Sequence, residues 1–272
     1  MRAVRIIAWR ELRDALHSRW LAGFGILFAL LTLGISYYGL AGSREAGFQG
    51  FGEVSASLLN LILFTVPMVA MVLPVTSLTS DEGLLILLTQ PLGRGEVLLG
   101  KYLGMLGAVE GTLLGGLLLG GSVVMAQTGS DYLGNFLLLA ALTSVLICLF
   151  LAFGVAIAVS WRDRSKALGM ALGVWFVLVI LYDLLVFGLT VSGPGISLKA
   201  LLLLALAFNP VDAARVLYLL ASGSSSFVGV TGAVLAETLG TAAGMAALIG
   251  LFVVQLSATL AAAGFIFRRK AF

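Results

Sequence analysis

Charge is what this chain has least of. Only 11% of its 272 residues are Asp, Glu, Lys or Arg, while 60% are hydrophobic. A soluble domain carries about 25% charged residues, because a folded surface exposed to water needs polar cover. A polytopic membrane protein is the class that accommodates so apolar a chain. Histidine and cysteine are nearly missing as well: His17 is the one histidine and Cys148 the one cysteine. A lone cysteine excludes an intrachain disulfide. An intramembrane serine or metalloprotease would need a Ser/His pair or a His-rich ligand set, and neither can be assembled. Met68 and Met71 share a helix face and thioethers suit cuprous ions, but no other ligand joins them, so they read as packing filler. No metal site and no catalytic residue are expected. Glycine is plentiful at 34 residues, yet no G-x-x-x-x-G-K-[ST] phosphate loop occurs.

What is present is a series of apolar runs. Six are long enough to span a bilayer, which takes roughly 20 residues: 20–40, 57–78, 102–126, 132–160, 167–191 and 238–267. Residues 198–208 are apolar too, but eleven residues of helix do not cross. The basic residues recur between the runs instead of forming a nucleic-acid footprint. With the N-terminus cytoplasmic, thirteen of the sixteen Lys and Arg fall inside: Arg2, Arg5, Arg10, Arg13, Arg19, Arg94, Lys101, Arg162, Arg164, Lys166, Arg268, Arg269 and Lys270. Arg44, Lys199 and Arg215 fall outside. That asymmetry places both termini in the cytoplasm. A seventh span over 198–220 would put the C-terminal basic cluster outside and bury Asn209, Pro210, Asp212 and Arg215. Asn209-Pro210-Val211-Asp212 reads better as a helix start, with Asn209 as N-cap, Pro210 in the first position and Asp212 in the first turn. The region 192–237 is therefore a helix, a break and a helix, lying on or dipping into the outer face.

The first nineteen residues, arginine-rich, are too long for the leader of a signal peptide and are expected to be retained. Val4, Ile7, Ala8, Leu12, Ala15 and Leu16 share one arc of a helix, with Arg2, Arg10, Arg13, Asp14 and His17 opposite. Arg5 and Glu11 intrude on the apolar arc. This is an interfacial helix along the inner leaflet. The expected fold is thus all-α: one domain over 1–272, with an interfacial helix at 1–19, six spans, a cytoplasmic loop at 79–101 and a broken outer pair before the last span.

The loop is the informative part. Ser80 can cap a helix whose first turn carries Asp81 and Glu82; Leu84, Leu85, Leu87 and Leu88 give it an apolar side; Pro91 and Gly93 stop it. A free cytosolic loop has no reason to show four leucines, whereas a helix docking into a groove on a soluble partner does. The order Asp81-Glu82-Gly83, Leu87-Leu88, Pro91-Leu92, Arg94-x-Glu96-x-Leu98-Leu99-Gly100-Lys101 resembles the cytoplasmic coupling loop of type-2 ABC exporter permeases. The stretches 89–104, 171–185 and 208–220 together resemble, within that family, the membrane subunits of ABC transporters that assist copper-site maturation of nitrous oxide reductase.

The resemblance implies a homodimer in a bacterial inner membrane, with two cytoplasmic ATPase subunits that hold ATP and Mg. It also implies a periplasmic copper-binding β-helix protein that handles the copper, and no cofactor on this chain. Docking of the ATPase subunit would fall on Asp81, Glu82, Gly83, Leu84, Leu85, Leu87, Leu88, Pro91, Arg94, Glu96 and Lys101. The periplasmic partner would meet the region of Asn209, Pro210, Asp212 and Arg215. The same loop is compatible with a permease exporting another cargo, such as a lipid, glycan or drug.

Two carboxylates lie inside spans, Glu110 and Asp183, each roughly 12 Å from its helix end. A local hydrogen bond is the plainer reading for Glu110. For Asp183 a polar contact lining a cleft between subunits stands level with it. The third span carries G-x-x-x-G pairs at 100/104, 107/111, 111/115 and 116/120. They let helix backbones approach, within one chain first and at a sliding or dimer surface second. Pro67 and Pro74 in the second span are either a hinge or fixed kinks.

Overall fold

The computed structural model describes residues 2–46, 50–79, 93–128, 133–161, 163–192, 198–223 and 237–269. Every regular element among them is a helix. They are α1 (Arg2–Leu16), α2 (Arg19–Ala46), α3 (Gly50–Thr79), α4 (Arg94–Thr128) and α5 (Leu133–Ser160). The next rod comprises α6 (Arg164–Phe176), a π-helical turn (Val177–Leu181) and α7 (Tyr182–Ser192). α8 (Leu198–Phe208), α9 (Pro210–Ala221) and α10 (Ala242–Arg269) follow. Six of these are long and apolar enough to cross a membrane: α2, α3, α4, α5, the α6–α7 rod and α10. The chain is a multi-pass membrane protein, and the six runs read from hydropathy are the six spans.

The spans run alternately up and down, so one end gathers the starts of α4 and α6 with the ends of α3, α5 and α10. This end carries Arg94, Lys101, Arg164, Lys166, Arg268 and Arg269, and is called the basic end below. At the turn into α6, Asp163 acts as N-cap, its carboxylate accepting from the Lys166 amide at 3.1 Å. α3 and α5 are the interior: 78% and 56% of their most apolar stretches are buried, against 6% for the α6–α7 rod and 11% for α10. The last two therefore look outward. α1 and α2 pack on α4, α3 and α10 on α5, and α6 on α3.

α3 continues through Pro67 and Pro74 without a break. Proline removes one backbone donor, which leaves the carbonyl four residues earlier without its helical partner and loosens the turn around it. The Phe64 carbonyl, one turn before Pro67, accepts from Trp175 Nε1 at 3.0 Å, and the two rings meet edge-on at 4.9 Å. Trp175 thus fastens α6 to the proline-bearing stretch of α3. Trp175→Phe keeps the ring and deletes the N–H. It is expected to cost about 1 kcal/mol, measured as a lower unfolding midpoint of the purified protein.

Candidate functional site

The stretch expected to dock an ATPase subunit falls largely outside the described residues: Asp81, Glu82, Gly83, Leu84, Leu85, Leu87, Leu88 and Pro91 are all within 80–92. Its two roots are described. α3 delivers the chain to Thr79, and α4 takes it up again at Arg94. Arg94 Nη1 donates to the Arg268 carbonyl at 3.0 Å, tying the start of α4 to the end of α10. Glu96 lies in the first turn of α4, where a carboxylate suits the helix dipole.

Lys101 is not at the surface. Its side chain is 1% exposed, and its Nζ sits 2.6 Å from Glu11 Oε2. Ser77 Oγ donates to the other carboxylate oxygen of Glu11. Lys101, expected among the docking residues, is therefore an internal tie, because a buried ammonium needs a buried counter-charge. Glu11 supplies it from α1, Ser77 lies three residues before the undescribed loop, and Lys101 stands on α4 beyond it. One carboxylate joins α1 to both roots. The sequence carried a signal for this: Glu11 was the acid out of place on the apolar arc of α1. Beside the cluster is an open cleft of about 320 Å³ lined by Asp14, Ser18, Thr76 and Ser77 among others.

α1 reaches this position because two residues of α4 lack side chains. A Cβ on Gly100 would lie 2.8 Å from the Ile7 Cβ, and one on Gly104 would lie 2.5 Å from the Ala8 carbonyl oxygen and 2.6 Å from the Glu11 Cβ. The first G-x-x-x-G pair is the seat of α1, and the 116/120 pair is the seat of α2, whose Thr32 hydroxyl donates to the Gly116 carbonyl at 2.9 Å. Both serve packing within the chain. α1 keeps most of its expected arc: Ile7 and Ala15 are buried together with Glu11, and Val4, Ala8 and Leu12 are half-buried, while Leu16 is exposed along with Ile6 and Trp9.

The second cluster is the broken pair. α8 and α9 meet at Asn209 with a bend of 115°. Asn209 caps α9 as its sequence demands, its Oδ1 accepting from the Val211 amide at 3.0 Å, with Pro210 in the first turn. The Asn209 amide also donates to the Leu178 carbonyl at 2.8 Å. Leu178 belongs to the π turn, where i→i+5 pairing disturbs the regular ladder and leaves a carbonyl for an outside donor. Around it Tyr182 donates to the Ala205 carbonyl at 2.9 Å and Gln255 to the Ala207 carbonyl at 2.9 Å. Leu178 and Gln255 stand near the middles of their spans, so the tip lies at mid-depth. On the return arm Tyr218 hydrogen-bonds Ser55, close to the start of α3. The pair enters and leaves at the same end: it is a re-entrant hairpin, not a seventh span.

Arg215 on α9 closes the cluster, 2.9 Å from Asp183 Oδ2 and 3.3 Å from Asp212 Oδ1. The residues expected to face a periplasmic partner are thus turned inward. Asn209 and Pro210 are buried, and Arg215 and Asp212 are engaged with Asp183 and Asn209. Their chemistry is internal because the tip is surrounded by helices, where polar groups must satisfy one another. Asn209→Ala is expected to cost about 1 kcal/mol from the cap alone, seen in thermal unfolding.

Residues 5–271 match the model of the ABC-2 family transporter proteins. The chain belongs to that family. This ABC-2 permease is also 37% identical over 230 residues to a protein of Pseudomonas aeruginosa and 36% identical over 241 residues to one of Stutzerimonas stutzeri. Each is described as "Probable ABC transporter permease protein NosY". The first match covers 80% of this chain and 82% of the relative, the second 85% and 86%.

The other intramembrane carboxylate of this ABC-2 permease, Glu110, accepts from Ser144 Oγ at 3.0 Å, a bond between α4 and α5. Asp183, by contrast, takes a charged partner. Among the described residues no group of three or more His, Cys, Asp or Glu could hold a metal ion. His17 follows directly on α1, with its Nδ1 2.7 Å from the Arg13 carbonyl oxygen.

Proposed function

We propose that this ABC-2 permease couples ATP hydrolysis in a partner subunit to conformational work on the periplasmic side of the inner membrane, in support of copper-site assembly of nitrous oxide reductase. The similarity to NosY proteins over four-fifths of the chain or more carries the reading. Two copies of the chain form the membrane core. Each docks one cytoplasmic ATPase subunit, of the NosF type, through the helix at 81–90. A NosD-like periplasmic β-helix protein handles the copper, and this chain binds none. ATP and Mg stay in the ATPase subunit.

The route for force follows the contacts described above. Closure of the two ATPase subunits on ATP shifts the docked helices. The Glu11–Lys101–Ser77 tie makes α1 move with both roots of the loop. α3 and α5 carry the displacement through the interior, and the hairpin receives it twice: at Ser55 through Tyr218, and at mid-depth through Asn209 and the α6–α7 rod.

Co-purification tests the reading. The full chain, expressed with its operon neighbours, should bring down an ATPase subunit in equal number and a periplasmic copper-binding protein. Leu85→Pro or charge reversal at Glu82 should release the ATPase subunit and lower the copper content of nitrous oxide reductase made in the same cells. Retention of the ATPase subunit by both variants would refute docking. An ATPase partner with no periplasmic protein, and unaltered reductase copper, would favour export of another cargo.

A further inference from the structure

An apolar groove of about 510 Å³ lies between α4 and α10 and opens at the basic end. Leu98, Tyr102, Val155, Leu260, Gly264 and Phe265 are among its walls. From Arg268 to Leu260 it follows α10 for about 12 Å, one leaflet's share of the span. The one hydroxyl among the residues that line it, Tyr102, is already donated to the Cys148 carbonyl at 2.9 Å.

The mouth has the opposite character. The Arg268 guanidinium lies across the start of α4, 3.4 Å from where Gly95 would carry a Cβ. Arg269 stacks on Phe265 at 4.0 Å from the ring centroid, and Phe265 is itself a wall. Arg94 bonds the Arg268 carbonyl and adds a third guanidinium. The nearby carboxylate, Glu96, folds toward Gly93, within 3.7 Å of the position of a Cβ there. A narrow apolar slot with several cations at its polar end fits a molecule with one or more alkyl chains and an anionic head.

We propose that this groove holds an anionic phospholipid of the adjacent leaflet, its phosphate against Arg268 and Arg269 and an acyl chain along Leu98, Tyr102 and Leu260. The chain itself gives little selectivity, because a lipid leaving the bilayer exchanges one hydrocarbon setting for another. Selectivity comes from the head, at about fivefold per arginine near the surface. The inference is independent of which partner meets residues 80–92.

The test is native mass spectrometry of the full chain, purified in mild detergent and offered equal amounts of phosphatidylglycerol and phosphatidylcholine. About one phosphatidylglycerol should be retained per chain, with a preference of roughly 25-fold from two arginines. Arg268→Gln with Arg269→Gln should bring the preference near unity. Gly264→Leu should abolish retention of both lipids while leaving the arginines in place. A Cβ there meets nothing within 4 Å, so the added side chain fills the groove without displacing a helix. Ala261→Leu, on the same wall, is the second blocking variant and should act alike. Equal retention of the two lipids by the unaltered chain, no retained lipid at all, or unchanged retention in both blocking variants would overturn the proposal.

Discussion

Lys101→Met should lower the stability of the purified permease by about 3–5 kcal/mol, the largest loss expected from any single substitution described here. The methionine fills the space of the lysine stem. What is lost is the ammonium 2.6 Å from Glu11, in a site where neither side chain is more than 11% exposed. A carboxylate left there without its cation bears the desolvation cost alone. Glu11→Leu combined with Lys101→Met removes both charges and should recover most of the loss, because a buried pair replaced by apolar groups of similar volume is close to neutral. Chemical unfolding in detergent micelles measures both variants against the unaltered protein. The two substitutions then separate stability from coupling. The double variant should fold well and bind an ATPase subunit, yet transmit its cycle poorly, since α1 is no longer fastened to the loop roots by Ser77 and Lys101. An undiminished response in the double variant would remove α1 from the route.

Arg215→Met should cost about 2 kcal/mol and loosen the hairpin. The guanidinium lies between two carboxylates, Asp183 at 2.9 Å and Asp212 at 3.3 Å. Without it they face one another across the tip. The figure is set below that for Lys101 because the Asp183 and Arg215 side chains are 44% and 33% exposed, and solvent screens part of the exchange. Asp183→Asn with Arg215→Met should restore about half. The diagnostic is local: in the single variant, cysteines placed at Leu204 and Leu219 should label faster from the far end, while labelling at α1 stays unchanged. Uniform labelling at both ends would mean general unfolding and not a released hairpin.

The spans were legible because lipid imposes a length and a composition that a single sequence states outright. The Asn209 start was legible for a different reason: a cap is made by residues two or three apart, so Asn-Pro-x-Asp carries its own geometry. Lys101 was misplaced by the same logic that located the spans. A lysine at the edge of an apolar run reads as a boundary, and the third span was begun at 102, whereas α4 starts at Arg94. The missing term was Glu11, which neutralises the charge from 90 residues away. The inward turn of Arg215 was hidden likewise, because its partner Asp183 lies 32 residues off on another helix. Neither pairing leaves a trace at short range beyond one acid on an apolar arc and one acid within a span. The π turn left none, since Val-Leu-Val-Ile-Leu suits an α-helix equally well.

That turn sets the angular phase of the rod that contains it. A π turn packs one more residue into its circuit than an α-helix would, so the two halves of the rod are offset by about 100° from a continuous helix. The half before it offers Trp175 to α3, and the half after it offers Tyr182 and Asp183 to the hairpin. Deleting one residue between Val177 and Leu181 would let the segment relax into regular α-helix with its ladder intact. The residue removed is the one the circuit holds in excess, so later side chains would keep their phase, with Asp183 still toward Arg215, while the Leu178 carbonyl would return to the ladder and be lost to Asn209.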